Sequence, residues 1–205
     1  MSLVDLLKGS GKNSGADMKT LLLSAGHYPA AKGACYKDFC EHDEAVKWVR
    51  LVQDNLDGLC KVVPVPGVRL VDKVNFVNRH HGDLALEIHF NACGGCGAKG
   101  SESLYMPSSV KGQLMVRIIQ EEISKVFSPS RGVKEGWYKQ DRPGVIDYQG
   151  DVDGDEKPDY FLKKTRWPAV IVEPEFIHNE ERIVSNREAG CKALATSIMD
   201  ALGAA

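Results

Sequence analysis

The sequence lacks several features that would each define a class of protein. Its 205 residues contain no run of about eighteen apolar residues, which excludes a helix long enough to span a bilayer. Its first residues contain no basic segment followed by a long apolar run, so we expect no secretory signal and synthesis in the cytoplasm. An excess of one charge is also missing: the net charge is −2, which gives no global attraction to nucleic acid or to an anionic membrane.

The chain contains six cysteines, which are too few for a domain of this size that is built on disulfides. The pair Cys93-Gly-Gly-Cys96 has a spacing that can bind zinc or cycle as a redox couple. A structural zinc site needs a second Cys or His pair, which no suitable spacing supplies. A redox pair is expected at a helix N-terminus, whereas this one is followed by Gly-Ala-Lys-Gly. We therefore expect a loop pair that oxidises without a dedicated role.

The hydrophobic pattern is typical of a single α/β domain, because 43% hydrophobic residues are enough for a sizeable core. Alternation and short apolar runs predict strands at residues 21–25, 61–65, 83–91 and 169–173, and an edge strand at 103–106. Residues 128–166 are polar and are predicted to be irregular, with one strand near 136–138. Three- and four-residue spacing predicts helices at 41–56, 72–79, 108–127 and 180–202. Strands that alternate with helices indicate a largely parallel, twisted sheet flanked by helices. Residues 1–18 are predicted to be a flexible leader, and 19–205 the domain.

Three predicted strands end in residues that can bind a metal ion or transfer a proton. His27 follows the first strand, His89 lies near the end of the strand D-L-A-L-E-I-H-F-N, and Glu173 ends the strand A-V-I-V-E. A single histidine in a strand is more often a hydrogen-bonded core residue, but the ends of parallel strands gather along one rim of a sheet. Two imidazoles and a carboxylate are the ligands of a hydrolytic zinc site, which keeps its fourth position for water.

One more acid is needed at this rim, because a carboxylate that binds the metal cannot also act freely as the base. Glu41 stands at the start of the first helix. If this end of the helix faces the rim, the carboxylate of Glu41 lies near His27. Glu44, one turn further along the same helix, is the alternative.

Four motifs in these regions resemble those of a known family. They are G-H-Y-P at 26–29 with Gly33-Ala34 and Glu41, then E-I-H-F-N-A at 87–92, G-S-E-S-L-Y at 100–105 and P-A-V-I-V-E-P-E-F-I-H-N at 168–179. The last three are similar to S-I-H-x-N-A, G-x-E-x-x-Y and P-x-x-L-x-E-x-x-F-x-x-N of the zinc N-acetylmuramoyl-L-alanine amidases, Amidase_3 type. The resemblance runs in order over residues 19–202. The chain departs from it at Tyr28-Pro29, Glu87, Phe90 and Pro174-Glu175.

The resemblance implies a zinc amidase domain in which His27, Glu41 and His89 bind Zn²⁺ and Glu173 is the catalytic acid/base. Glu41 fits the family spacing from His27 better than Glu44 does. The implied substrate is peptidoglycan, cleaved at the amide between N-acetylmuramic acid and the L-alanine of the stem peptide. The enzyme is expected to be a monomer that does not insert into a membrane. It is expected to be either a phage-type lysin released from the cytoplasm or a bacterial enzyme exported by another route. A zinc peptidase that cuts within the stem peptide and a non-catalytic wall-binding module remain the alternatives.

Weaker patterns concern the surroundings of this site. Arg131 and Lys134, in the segment R-G-V-K, are expected either to bind peptide carboxylates of the substrate or to form an ordinary basic surface turn. Glu102 is expected to line the mouth of the cleft. The acidic run 151–159 resembles a calcium loop but lacks its sixth-position glycine and twelfth-position glutamate, so a solvated acidic loop is predicted. His80 and His81 are not expected to bind metal.

Overall fold

A six-stranded sheet forms the centre of the domain in the computed structural model, which describes residues 18–94, 97–136 and 159–204. Its strands are β1 (Thr20–Ala25), β4 (Lys61–Pro64), β5 (Leu84–Ile88), β6 (Ser101–Tyr105), β7 (Ser130–Glu135) and β8 (Ala169–Glu173), in the spatial order β4-β1-β5-β8-β6-β7. A short antiparallel hairpin consists of β2 (Cys35–Tyr36) and β3 (Phe39–Cys40). The helices are α1 (Glu41–Leu56), α2 (Leu70–Arg79), α3 (Val110–Val126), α4 (Tyr160–Lys164) and α5 (Glu180–Ala204).

The direction of the strands decides which residues meet at the functional rim. β4, β1, β5 and β8 are parallel, which confirms the predicted largely parallel sheet. β6 is antiparallel to β8 and lies between β8 and β7, so the prediction of an edge strand was wrong. Because β6 is reversed, its first residues lie beside the last residues of β8, with Glu102 opposite Glu173.

Helices cover both faces of the sheet. Both faces carry side chains to be buried, because successive side chains along a strand point to opposite faces. On one face, Leu21 and Leu23 of β1 belong to the cluster that packs under α1, α3 and α5. Trp48 of α1 lies at its centre, with ring centroids 5.6 Å from Phe90 and 5.7 Å from Phe127. On the other face lies a smaller cluster under α2 and α4, formed by Leu22, Val65, Val74, Val77, Ala85, Leu104, Phe161, Leu162, Ala169 and Ile171.

The predicted helices are confirmed, and α1 has the predicted limits. The region 128–166, predicted as irregular, contains β7 and α4 among its described residues. β7 was not predicted because its sequence, S-R-G-V-K-E, has no apolar alternation, as is usual for the outermost strand of a sheet. The predicted strand near 136–138 is wrong at Gly136, which follows β7, and its other two residues lie outside the described residues, as do residues 1–17 of the predicted leader.

The acidic run 151–159 lies outside the described residues except for Asp159, which is buried rather than solvated. Its side chain caps α4 by accepting a hydrogen bond from the Leu162 amide at 3.1 Å. Burial raises the pKa of Asp159 to about 6. None of the helices in the described part of the chain is both long and apolar enough for a membrane span.

The cysteines differ from the sequence expectation at one place. Cys35 and Cys40 form a disulfide that closes the β2–β3 hairpin immediately before Glu41, and no pattern in the sequence predicted it. Cys60 and Cys191 are free and buried. Cys93 is disulfide-bonded, in agreement with a loop cysteine that oxidises, and Cys96 lies outside the described residues.

Candidate active site

His27 is presented by a tight turn at the end of β1. The chain leaves the strand with the Gly26 amide donating to Ile88 O at 2.7 Å, and His27 then adopts a left-handed φ of 57°. Two buried side chains hold this turn: the Nδ1 atom of His42 lies 2.7 Å from Gly26 O, and Lys73 Nζ donates to His27 O at 3.2 Å. A non-glycine residue with positive φ is uncommon and is found at functional sites, where the surrounding contacts maintain it.

Glu41 begins α1 and turns its carboxylate toward the sheet. Each carboxylate oxygen faces one imidazole: Oε2 lies 2.9 Å from His27 Nε2, and Oε1 lies 2.8 Å from His89 Nδ1. The backbone amides of Ala34 and Phe90 donate to the same two oxygens at 3.1 and 3.2 Å. Although burial alone would raise the pKa of Glu41, the hydrogen bonds from the two histidines lower it to about 2. The carboxylate is therefore held charged between the two rings.

His89 directly follows β5, with its amide donating to Val172 O at 2.9 Å. Its Nε2 atom, on the side of the ring away from Glu41, lies 3.3 Å from Glu87 Oε2. Burial alone would lower the pKa of His89, but hydrogen bonds with Glu41 and Glu87 hold it well above its ordinary value. The rings of His27 and His89 are edge-to-face, with centroids 5.0 Å apart.

The side chains of His27, Glu41 and His89 form a group that could hold a metal ion, with one donor atom of each within 4.8 Å of the others. Two imidazole nitrogens and a carboxylate oxygen are the donor set of a hydrolytic zinc site. The backbone at Gly33 leaves room for these donors, because a Cβ atom there would lie 2.4 Å from Glu41 Oε2 and from His27 Nε2. The residues present thus fit a zinc ion in chemistry and in space.

Glu44 is not part of this group. Its buried carboxylate lies between α1 and α5, where it accepts from Trp48 Nε1 at 3.2 Å and from Arg187 Nη2 at 3.0 Å. Of the two acids that sequence reasoning left open, the structure brings Glu41 to the histidines. His80 and His81 are exposed, and His81 Nε2 lies 3.9 Å from Asp83, at the opposite end of β5 from the site.

Glu173 ends β8 at the same rim and is only 5% exposed. Its Oε2 atom is buried and has no hydrogen-bond partner among the described residues. Burial, the neighbouring carboxylate of Glu102 and that of Glu41 raise the pKa of Glu173 to about 8, while His89 opposes the shift. A buried carboxyl group with a raised pKa and one oxygen free of hydrogen bonds from the described residues, beside the His–Glu–His group, is suited to exchange a proton with a substrate.

Glu102, predicted to line the mouth of the cleft, is buried at the start of β6. It accepts from Arg131 Nε at 2.7 Å and from Lys134 Nζ at 3.0 Å, and Asn91 Nδ2 donates to its other oxygen at 2.5 Å. Arg131 and Lys134 belong to β7, so they lie on the outermost strand rather than on a turn. Arg131 also stacks over Phe176, with its guanidinium carbon 5.0 Å from the ring centroid.

Sequence reasoning missed Lys73, Asn91 and the role of Glu87 in this region. Lys73 is 1% exposed although it stands on an amphipathic helix, where a lysine usually faces solvent. Glu87 is the one acid within the apolar strand L-A-L-E-I, and this was the available signal for a buried partner.

A domain of this architecture, with a His–Glu–His group beside a buried glutamate, has the side chains of a metal-dependent hydrolase. The family comparison is more specific: residues 21–204 match the N-acetylmuramoyl-L-alanine amidase family, Amidase_3, and the chain belongs to that family. The chain is therefore a hydrolase of the peptidoglycan amidase class. A comparison with curated protein sequences finds no match.

Solved structures of amidases share the fold. The chain is similar to the N-acetylmuramoyl-L-alanine amidase AmiC2 of Nostoc punctiforme, with a TM-score of 0.74 and 18% identity over 92% of this chain and 99% of that one. An N-acetylmuramoyl-L-alanine amidase of Clostridium difficile 630 has a TM-score of 0.70 and 20% identity over 92% and 97% of the two chains. The catalytic domain of an endolysin targeting Clostridia difficile has a TM-score of 0.66 and 22% identity over 91% and 97%. At these identities the likeness shows the fold.

Proposed function

We propose that the chain is a zinc-dependent N-acetylmuramoyl-L-alanine amidase that hydrolyses the amide between the lactyl group of N-acetylmuramic acid and the L-alanine of the stem peptide. The observation that carries the proposal is the convergence of His27, Glu41 and His89 beside the buried carboxyl group of Glu173. Membership of the amidase family supports the choice of bond.

In this proposal His27 Nε2, one oxygen of Glu41 and His89 Nδ1 hold the ion, because these are the atoms that face one another. A zinc ion held there supplies Lewis acidity toward a carbonyl oxygen and lowers the pKa of a water molecule from 15.7 to roughly 7. The low pKa of Glu41 suits a ligand, since its carboxylate stays deprotonated without help from the ion.

Glu173 is the acid/base in this account. Its carboxylate accepts the proton of the attacking water and then donates it to the nitrogen of the leaving L-alanine, so that the amine departs neutral. The raised pKa of Glu173 suits this exchange, because a carboxyl group whose pKa lies near the operating pH can both accept a proton and return it. The lack of a hydrogen-bond partner for Oε2 among the described residues supports this role, since no protein contact competes for that oxygen.

Arg131 is proposed to bind a carboxylate of the stem peptide, which is one of the two alternatives that the sequence left open. It donates to Glu102 from Nε, and its side chain remains 35% exposed at the rim. Glu102 then acts as the anchor that directs this guanidinium toward the cleft. The charge-assisted geometry of arginine with a carboxylate would provide both affinity and orientation.

We further propose that the enzyme is a monomer that acts on the cell wall as a phage-type lysin, after synthesis in the cytoplasm and release. Peptidoglycan is its partner, and no nucleic acid or membrane insertion is part of the proposal. The net charge of −2 supports this choice, because it gives no global attraction to polyanions.

The bond that is cleaved can be identified by mass spectrometry of purified peptidoglycan digested by the zinc-loaded protein. We expect intact glycan chains that carry free lactyl carboxylates, together with stem peptides that begin with a free L-alanine amine. A Glu173→Gln protein prepared in parallel is the control for contaminating hydrolases. Fragments cut between amino acids of the stem would contradict the proposal and indicate a peptidase, and binding without any cleavage would indicate a wall-binding module.

A further inference from the structure

A buried ion pair lies directly behind the two histidines of the site. Lys73 of α2 is 1% exposed and Glu87 of β5 is 2% exposed, and Lys73 Nζ donates to Glu87 Oε1. Burial of two charges carries a desolvation cost that their attraction often fails to repay, and apolar residues of similar size are frequently as stable in such a place. The contacts of this pair with the site therefore explain its presence better than a gain in stability does.

Lys73 connects the pair to the turn that carries His27. Besides Glu87, its ammonium group donates to Ala25 O at 2.7 Å and to His27 O at 3.2 Å. The three donors of the lysine are thus all used, and two of them hold backbone carbonyls on either side of Gly26. These bonds fix the turn in which His27 has its left-handed φ of 57°.

Glu87 connects the pair to the ring of His89. Its Oε1 atom accepts from Lys73 and from Ser24 Oγ at 3.3 Å, while its Oε2 atom faces His89 Nε2 at 3.3 Å. The opposite ring nitrogen, Nδ1, faces Glu41. A carboxylate that accepts from one imidazole nitrogen fixes the tautomer and the orientation of the ring, which leaves the other nitrogen free to bind a metal ion.

We propose that Lys73 and Glu87 are positioning residues for the metal site, an inference that rests on the proposed function. Glu87 holds His89 with Nδ1 directed at the ion, and Lys73 holds the backbone from which His27 reaches the same ion. One ion pair thus aligns both imidazole ligands from behind. Glu87 stands where the resembled S-I-H-x-N-A motif has serine, so the device belongs to this chain rather than to the motif.

The test is the zinc dissociation constant of the metal-free protein, measured by competition with a chromophoric chelator. The informative variant is Lys73→Met/Glu87→Leu, because it replaces the ion pair by apolar side chains that can keep the fold. We expect cooperative thermal unfolding of this metal-free variant close to that of the wild type, with zinc binding about 10- to 100-fold weaker. Glu87→Gln keeps an oxygen that can accept from His89 and is expected to restore part of the affinity.

The matched control is Glu44→Gln, which also removes a buried, ion-paired carboxylate and lies on the same helix as Glu41. We expect this change to affect the unfolding temperature and to leave zinc affinity within about twofold of the wild type. An equal loss of affinity in Glu44→Gln and in the double variant would overturn the inference, because it would show a general effect of altered packing.

A second readout addresses the ring of His89 directly and does not depend on variants that fold. In ¹⁵N–¹H spectra of the zinc-loaded wild type, we expect His89 to be metal-bound through Nδ1 and protonated at Nε2. Binding through Nε2 would overturn the inference. If the double variant binds zinc with full affinity, and the wild type binds zinc and cleaves peptidoglycan, the positioning role is refuted and the proposed function stands. A wild type that binds no zinc would refute the proposed metal site as well.

Discussion

Glu102 and Glu173 lie opposite each other on neighbouring antiparallel strands, so two buried carboxyl groups meet at the rim beside the histidines. Arg131 and Lys134 form ion pairs with Glu102, which places two positive charges next to one member of the pair. Burial and the neighbouring carboxyl group of Glu102 raise the pKa of Glu173, since two like charges at close range cannot both ionise easily.

The pH dependence of hydrolysis should report this relationship. Glu102→Gln removes a negative charge beside Glu173 and leaves Arg131 and Lys134 unneutralised, so the pKa of Glu173 should fall. We expect the acid limb of the kcat/KM profile on soluble peptidoglycan fragments to move to lower pH. Arg131→Gln removes a positive charge and should move the same limb to higher pH. Shifts in the same direction for both variants would contradict an electrostatic origin.

Gly33 should be required for the metal site because of space as well as backbone conformation. Its φ is +77°, and a Cβ atom would lie 2.4 Å from both Glu41 Oε2 and His27 Nε2. We expect Gly33→Ala to abolish stoichiometric zinc binding, measured by metal analysis after dialysis. Gly58→Ala is the matched control, since Gly58 has a φ of +74° with nothing near its Cβ position.

Both alanine variants should be destabilised by about 1–2 kcal/mol, because an L side chain is strained at positive φ. Gly58→Ala should keep its full zinc content. Loss of zinc in both variants would attribute the effect to general destabilisation rather than to the contacts of Gly33.

Asp159 should make the free energy of unfolding depend on pH. The pKa of its buried carboxyl group is about 6 in the folded protein, against an ordinary value of 3.8. Because the folded state binds this proton more tightly, the contribution to stability is present below about pH 4 and is lost as the pH rises through 6.

Asp159→Asn keeps a capping side chain at the start of α4 and removes the titration. In urea unfolding we expect the variant to gain about 2–3 kcal/mol relative to the wild type between pH 4 and pH 7. The other acids titrate in both proteins, so the difference isolates Asp159. A constant difference across this range would contradict the assignment.

The residues at the rim of the sheet could be predicted from the sequence because the ends of apolar strands can be recognised there. His27, His89 and Glu173 each follow or end an apolar strand, and parallel strands align such ends. Helical periodicity placed both Glu41 and Glu44 on the first helix, and the resemblance to the amidase family favoured Glu41. These features depend on local sequence together with one rule of sheet topology.

The remainder depends on tertiary contacts that no local pattern contains. The reversal of β6 follows from its pairing with β8, and β7 has too few apolar residues to be distinguished from a loop. Lys73 looks like an ordinary surface lysine on an amphipathic helix until Glu87 is known to lie behind it. The burial of Asp159 is equally invisible, because an acid in an acidic run is normally solvated.

Zinc content and peptidoglycan hydrolysis, measured in parallel in wild type and Glu173→Gln, test most directly whether Glu173 is the acid/base or a ligand. Glutamine keeps the size of the side chain but cannot accept and return a proton. We expect about one zinc per chain in both proteins and a rate about 10²–10⁴-fold lower in the variant. A variant that loses its zinc would contradict the account, because Glu173 would then be a ligand and the roles of Glu41 and Glu173 would have to be exchanged.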